Sequence, residues 1–329
     1  MLKALSASRL KKSPFFLSHL VTTRCHCRCP MCLWRNQRNL EEMSSKEIGE
    51  FYRDSARHGF AQVAVWGGEP LMRDDLGEIL LQARKAGLVT VLLTNGYYLE
   101  ERLEEINPYL DAVILSLDYA GEEHDEIRGC PGLYQRVVAV LNTLRTHYPR
   151  IKVFLNYLLH QGNQEHIYPL AELALEHRAS MFVCPVKIEL SPGTPSFQAE
   201  QWKVDRGGEQ LIGEELKDLK RRGYPLNNSF TYIQEFFIEQ QPYRCHFPKI
   251  SLLIYPDGEV INCLDRHTPL GNVRRHSVGE IINTPYYQEL KRQALYCNHC
   301  NNPNIVDSSF IWEFRREPMW NALRTLGKS

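Results

Sequence analysis

Cys25, Cys29 and Cys32 stand at C-x3-C-x2-C spacing in the run Thr23-Arg24-Cys25-His26-Cys27-Arg28-Cys29-Pro30-Met31-Cys32. Thiolates are soft ligands that suit zinc, copper(I) or iron–sulfur clusters. Three of them fall one short of the four irons in a 4Fe–4S cluster, so one iron would stay open. An open position on a metal is where chemistry takes place. The bare spacing also fits two other arrangements. Positions i, i+4 and i+7 share one face of a helix, and zinc takes thiolates. Pro30 and the polar neighbours Arg24, His26, Arg28 and Arg35 argue against a buried helix. Zinc prefers four ligands in paired C-x2-C knuckles. Cys27 is an additional cysteine inside the run and reads as a spectator.

Four more cysteines lie late in the chain. Cys245 precedes Gly258, Cys263 follows that glycine by five residues, and Cys297-Asn298-His299-Cys300 forms a C-x2-C knuckle. Four thiolates complete the shell of a second 4Fe–4S cluster, and a structural zinc site would accept the same set. Full ligation leaves electron transfer or structure as the role. Cys130 and Cys184 are left over and read as spectators.

The remaining composition sets bounds. The 329 residues suffice for about two domains. Lys plus Arg and Asp plus Glu both total 39, which gives no reason to expect nucleic acid as a partner. No apolar run reaches the ~18 residues of a membrane span. Residues 1–14 carry Lys3, Arg9, Lys11 and Lys12 and read as a solvated leader rather than a signal peptide or membrane contact. Clustered cysteines without a signal peptide read as metal ligands, not disulfides. A reducing cytoplasm is the expected location.

The elements that must position these residues alternate between two periods. Residues 15–22, 62–66, 89–94, 112–117, 151–159 and 181–186 are short apolar strands. Helical patterns fall at 44–58, 76–85, 134–146 and 167–177, the first with a capping signal from Ser44 or Ser45 and Glu47. Near-continuously apolar strands separated by helices indicate a buried parallel sheet. The expected fold is α/β, a partial parallel (β/α)6 barrel, whose site gathers at the C-terminal ends of the strands. The cysteine loop, Gly67-Gly68-Glu69-Pro70, Asn95-Gly96 and Ser116-Leu117-Asp118 all fall at such ends. Beyond a linker at 191–196, a polar helix at 209–222, a hairpin at 251–263 and helices at 277–283 and 285–295 suggest a small α+β domain. The expected divisions are 1–14, 15–190, 191–240 and 241–329.

Together these motifs resemble the radical S-adenosylmethionine (radical SAM) superfamily, over nearly all of residues 15–187. The resemblance implies that Cys25, Cys29 and Cys32 ligate three irons of a 4Fe–4S cluster. SAM would chelate the fourth. Gly67, Gly68, Glu69 and Pro70 resemble the motif that contacts the methionyl amino group, with Glu69 as acceptor for the ammonium. Ser116 and Asp118 resemble ribose-contacting positions. Arg128, in His124-Asp125-Glu126-Ile127-Arg128-Gly129, resembles the arginine that pairs with the methionyl carboxylate, for which a planar guanidinium is suited. Asn95 and Asn156 are further candidates at strand ends. The family's usual aromatic before the third cysteine is replaced by Met31, with Trp34 nearby. The late cysteines Cys245, Cys263, Cys297 and Cys300 resemble the C-terminal SPASM extension in its shortened "twitch" form, which carries one auxiliary cluster. Leu270-Gly271-Asn272-Val273 and Ser277-Val278-Gly279-Glu280-Ile281 also resemble it.

The resemblance implies an enzyme. One electron cleaves SAM to a 5′-deoxyadenosyl radical that abstracts hydrogen from a substrate, with two 4Fe–4S clusters and SAM as cofactors. A flavodoxin- or ferredoxin-type protein would supply the electron. Relatives modify peptides and natural products, which is the preferred substrate class here. A lipid or polysaccharide precursor is the alternative. A non-catalytic iron–sulfur carrier would need neither Gly-Gly-Glu-Pro nor Arg128. Tyr157, Cys184, Lys187 and Glu189 are candidates to face the substrate, and the aromatic tail Phe310, Trp312, Phe314, Trp320 and Leu323 reads as packing or a cover for the barrel mouth.

Overall fold

The computed structural model describes residues 14–32, 40–186, 202–263, 266–298 and 300–327. Trp34, Arg35, Lys187, Glu189, the 191–196 linker, His299 and nearly all of the expected leader lie outside the described residues.

Six strands run parallel in sequence order: β1 (Phe16–Thr22), β2 (Gln62–Gly67), β3 (Val89–Thr94), β4 (Ala112–Ser116), β5 (Lys152–Leu159) and β6 (Ser180–Pro185). The helices between them are α1 (Ser45–Arg57), α2 (Leu76–Lys85), α3 (Leu99–Ile106), α4 (Glu123–Arg128), α5 (Leu133–His147) and α6 (Ile167–Glu176). Helix α1 begins with a capping box. Ser44 Oγ accepts from the Glu47 N–H, and the Glu47 carboxylate accepts from the Ser44 N–H at 2.8 Å. It buries Ile48, Phe51 and Tyr52 against the sheet, each contributing about 1.5–3 kcal/mol of transfer free energy. Helix α3 was not expected. Its four glutamates obscure a real stripe, Leu99, Leu103 and Ile106, which is buried.

The expected hairpin forms, and it is not set apart from the barrel sheet. Strand β7 (Ser251–Ile254) pairs in parallel with β1, on the edge that β2 leaves open. β8 (Glu259–Cys263) and β9 (Arg266–Asn272) follow antiparallel. The result is one open nine-stranded sheet in the order β6-β5-β4-β3-β2-β1-β7-β8-β9. The reason is that β1 would otherwise present a bare row of backbone groups, and β7 is buried throughout.

At the other end, β6 is covered rather than paired to a further strand. Pro225 O accepts from Met181 N–H, and Asn227 N–H donates to Met181 O, both at 2.8 Å. The Asn228 side chain bonds both backbone groups of Val183 at 2.8 Å.

The later helices are α7 (Arg206–Arg221), α8 (Phe247–Ile250), α9 (Val278–Ile282), α10 (Pro285–Gln293), α11 (Pro303–Trp312) and α12 (Arg316–Gly327). Ile311 and Trp312 pack with Phe15 and Ile250 at the start of β1. The cysteine loop leaves the far end of that strand. This part of the aromatic tail is therefore packing at the base of the sheet, not a cover over its mouth. No helix among the described residues is long and apolar enough to cross a membrane.

Candidate active site

The Cys25–Cys32 loop is stitched to its neighbours by backbone hydrogen bonds. Gly68 N–H donates to Thr22 O, Glu69 N–H to Arg24 O, and Arg28 N–H to Arg128 O, each at 2.8 Å. The glycines are needed for this approach. A Cβ on Gly67 would stand 2.2 Å from Thr22 O, and one on Gly68 would stand 2.2 Å from Arg24 O. Arg24 is held in turn by the Glu42 carboxylate, with Nε at 3.1 Å and a terminal nitrogen at 3.0 Å.

A cavity of about 300 Å³ lies at the C-terminal ends of the strands. Cys25, Cys27, Cys29 and Cys32 line it from the loop. Gly67, Gly68, Asn95, Ser116 and Asn156 line it from the ends of β2 to β5, and Arg128 lines it from α4. Cys263 and Cys300 open onto the same cavity from the C-terminal part of the chain.

Three expected contact residues are placed otherwise. Glu69 is fully buried and does not line the cavity. Its Oε1 accepts from Leu71 N–H (3.0 Å) and the Thr94 hydroxyl (2.7 Å), and its Oε2 accepts from Asn95 N–H (2.8 Å). The side chain thus ties the end of β2 to the end of β3. Burial pushes its pKa up, against these three donors. Pro70 is buried at the start of a short 3-10 turn. Asp118 is also fully buried. Its Oδ2 accepts from Arg128 Nε at 2.7 Å and its Oδ1 from Leu158 N–H at 3.0 Å, so it orients the arginine. Ser116 remains at the cavity wall.

The cysteine loop holds more than the three expected thiols. The ligand atoms of Cys25, His26 and Cys27 lie within 4.8 Å of one another. Hydrogen bonding from Cys27 lowers the Cys29 pKa to about 6, against the effect of burial and with help from the Arg128 charge. The same hydrogen bonds, then burial, push Cys27 itself up. Asn95 Nδ2 donates to Cys27 Sγ at 3.2 Å. Cys27, a spectator by its spacing, lines the cavity beside Cys25.

Three of the late cysteines influence Tyr243. Cys300, Cys245 and Cys297, after burial, push the pKa of the phenol up. Its buried hydroxyl has no nitrogen or oxygen partner among the described residues. Cys245 and Cys300 are buried, and Cys263 and Cys297 partly so. Both cysteine groups offer soft, mostly shielded thiols, a donor set that fits iron–sulfur chemistry.

Further residues complete the cavity, among them Cys184, a candidate to face the substrate, while Leu158, Val186, Trp202 and Asn301 carried no sequence signal of their own. Cys184 lines it, donates to Asn156 Oδ1 at 3.1 Å, and has its pKa pushed up to about 12 by burial. Met31, Leu158 and Val186 form an apolar wall, and Trp202 packs on Cys29, Met31 and Val186. Asn301 Nδ2 donates to Pro185 O (3.1 Å) and Val186 O (3.0 Å), tying the late knuckle to the end of β6. The C-x2-C knuckle and Cys184 on the sixth strand were the sequence signals pointing to this neighbourhood. Tyr157 is fully buried with its hydroxyl donating to Asn163 O, so it does not face the cavity.

Residues 20–174 match the family model described as the radical SAM superfamily, and residues 245–301 match the SPASM model, described as an iron–sulfur cluster-binding domain. Among solved structures, Streptococcus suis SuiB bound to S-adenosylmethionine is similar at TM-score 0.70 and 17% identity, covering 88% of this chain and 71% of that one. SuiB bound to its precursor peptide SuiA matches at TM-score 0.71 and 15% identity, over 96% and 77% of the two chains. The anSMEcpe protein with bound AdoMet and Cp18Cys peptide matches at TM-score 0.66 and 13% identity, over 94% and 99%. At these identities the likeness shows a shared fold.

Proposed function

The chain belongs to the radical SAM superfamily and carries a C-terminal SPASM iron–sulfur domain, and from that premise we propose that it modifies a peptide by hydrogen abstraction. The observation that carries this reading is one cavity lined by Cys25, Cys29 and Cys32 on one side and by Cys263 and Cys300 on another. Cys25, Cys29 and Cys32 hold the first 4Fe–4S cluster, and Cys245, Cys263, Cys297 and Cys300 hold the second. When bound, the first cluster and SAM supply a 5′-deoxyadenosyl radical by one-electron reductive cleavage.

The protein's own residues bind and orient. Arg128, held by Asp118, presents the rest of its guanidinium to the methionyl carboxylate. The ammonium falls to the backbone at Gly67 and Gly68. Ser116 and Asn156 offer polar groups to the ribose, and Cys184 fixes the Asn156 amide by donating to its oxygen. The Met31, Leu158 and Val186 wall excludes water and suits a purine face. The second cluster takes up or relays an electron, and a flavodoxin- or ferredoxin-type protein is the external donor. We divide the chain into a radical SAM core at 15–190, a connecting segment at 191–240 and an auxiliary-cluster region at 241–329. Peptide is favoured as substrate because SuiB and anSMEcpe, which share the fold, are each solved with a bound peptide.

The test is anaerobic purification followed by addition of dithionite and SAM. About eight irons per chain and formation of 5′-deoxyadenosine are expected. Replacing Cys25, Cys29 and Cys32 by alanine should leave about four irons and no 5′-deoxyadenosine. Loss of all iron would sink the two-site partition. Absence of 5′-deoxyadenosine from the fully loaded protein would sink the enzyme reading.

A further inference from the structure

We propose that a second cavity, walled in part by the chain neighbours of Cys245, is the docking surface for a small acidic electron-carrier protein that hands its electron to the second cluster. The inference rests on the proposed role of Cys245, Cys263, Cys297 and Cys300 as ligands of that cluster.

This cavity has a volume of about 550 Å³, lies open to solvent and shares no lining residue with the catalytic one. Arg244 and His246, which flank Cys245, line it, and so does Leu295, two residues before Cys297. Cys263 and Cys300 line the catalytic cavity. The late cysteines thus reach both cavities, two by lining one and two as chain neighbours of the walls of the other. A group held by all four links the two. The walls are also fixed in place. His246 N–H donates to Ser309 Oγ of α11 at 3.0 Å. Helix α8 runs directly into β7, which pairs with β1, the strand that leads into the cysteine loop. A partner seated here meets elements anchored in the central sheet.

The charges decide the kind of partner. Arg244, Lys249 and Arg315 line the cavity against a single carboxylate, Glu313. Glu313 Oε1 lies 3.1 Å from His246 Nε2, and Arg315 is bonded to Glu235 while lying over the Phe310 ring at 4.2 Å. Arg244 is exposed and has no ion pair among the described residues. It therefore supplies uncompensated positive charge, next to Cys245 in the chain. Such a charge draws in an acidic partner and orients it. Electron-transfer encounters are small, often below about 1,200 Å² of buried surface, so one concave patch suffices. The transfer itself makes and breaks no bond. The carrier's reduced cofactor loses one electron and the second cluster gains it.

The test is isothermal titration calorimetry of full-length, anaerobically reconstituted protein with oxidised flavodoxin and, in a parallel arm, with oxidised ferredoxin. Each titration is run at low salt and at about 0.3 M salt, where exposed charges are screened. Wild type is compared with Arg244→Glu, Arg244→Lys and Lys85→Glu, the last an exposed cation on α2. Wild type should bind at least one carrier and lose affinity as salt rises. Arg244→Glu should weaken binding about tenfold, with about eight irons per chain retained. Arg244→Lys, which keeps the charge, should bind as wild type does, and so should Lys85→Glu. Failure of wild type to bind either carrier overturns the proposal. So does binding indifferent to salt, an Arg244→Glu variant that binds as tightly as wild type, or an equal loss in Lys85→Glu. Loss of iron from Arg244→Glu along with its binding overturns it too, because the arginine then serves the metal site. Wild type holding only about four irons would remove the second cluster, and this inference with it, whereas about eight irons without carrier binding sink the docking surface alone.

Discussion

The carboxylate of Glu69, at the end of β2, accepts the main-chain N–H of Asn95, at the end of β3, at 2.8 Å. Both residues sit beside the cysteine loop, and only Asn95 lines the cavity. The charged member of the Gly-Gly-Glu-Pro run is thus a brace between strand ends.

Replacing Glu69 by Gln should break that brace at one point. The new amide nitrogen would face the Asn95 N–H if the oxygen keeps Leu71 and Thr94, setting a donor against a donor. A buried donor left unsatisfied costs about 1–3 kcal/mol. Urea unfolding of Glu69→Gln should show a loss in this range. A midpoint equal to wild type would refute the brace.

Asp118 and Arg128 form a buried ion pair, with a terminal nitrogen of Arg128 2.6 Å from Asp118 Oδ2 and their side chains 0% and 13% exposed. Breaking such a pair from one side leaves a charge without compensation and costs about 3–5 kcal/mol. Asp118→Asn and Arg128→Gln should each destabilise strongly. The double variant should lose less than the sum of the two. Additive losses in the double-mutant cycle would show that the pair is not coupled.

His19 on β1 is fully buried, shares a 2.8 Å hydrogen bond with the Tyr52 hydroxyl, and has its pKa lowered to about 3 by burial, with Arg73 adding. The unfolded chain takes up a proton near the ordinary value of 6.5 and the folded chain does not. Stability from this group is therefore present above pH 6.5 and is lost as pH falls, by about 1.4 kcal/mol per pH unit until the folded pKa is reached. Denaturant titrations at pH 7, 6 and 5 should show a flatter decline for His19→Asn than for wild type. Parallel slopes would contradict the burial argument.

Gly68→Ala would place a methyl group 2.2 Å from the Arg24 carbonyl oxygen, which belongs to the backbone of the cysteine loop. Backbone cannot swing aside as a flexible side chain does, so the loop must move. Iron should fall from about eight to about four per chain, with the second site intact. Full iron content and unchanged 5′-deoxyadenosine yield would show that the loop tolerates the displacement.

Much of this protein is legible in its residues. The six apolar stretches became β1 to β6 within a residue or two, because a strand buried on both faces excludes polar side chains along its whole length. The capping pair Ser44 and Glu47 appears as read, since capping depends only on local spacing. The resemblance to the radical SAM superfamily was equally local, carried by cysteine spacing and by short motifs at the ends of those strands.

What spacing could not carry is direction. Glu69, Asp118 and Tyr157 each lie on or beside a strand end, and all three turn away from the cavity. Cys27 and Cys184 turn toward it. One rotation about a side-chain bond separates these outcomes, and it is set by partners 6 to 26 residues distant. Arg128 claims Asp118, Asn95 claims Glu69, and Asn163 claims Tyr157. The pairing of β7 with β1 is of the same kind, because an open sheet edge exists only once the sheet has formed. Sequence alone determined the elements and the thiol donors on offer, which arise from local periodicity and residue chemistry. Only the tertiary structure decided which side chains face the cavity, because burial and hydrogen-bond satisfaction are properties of the assembled fold.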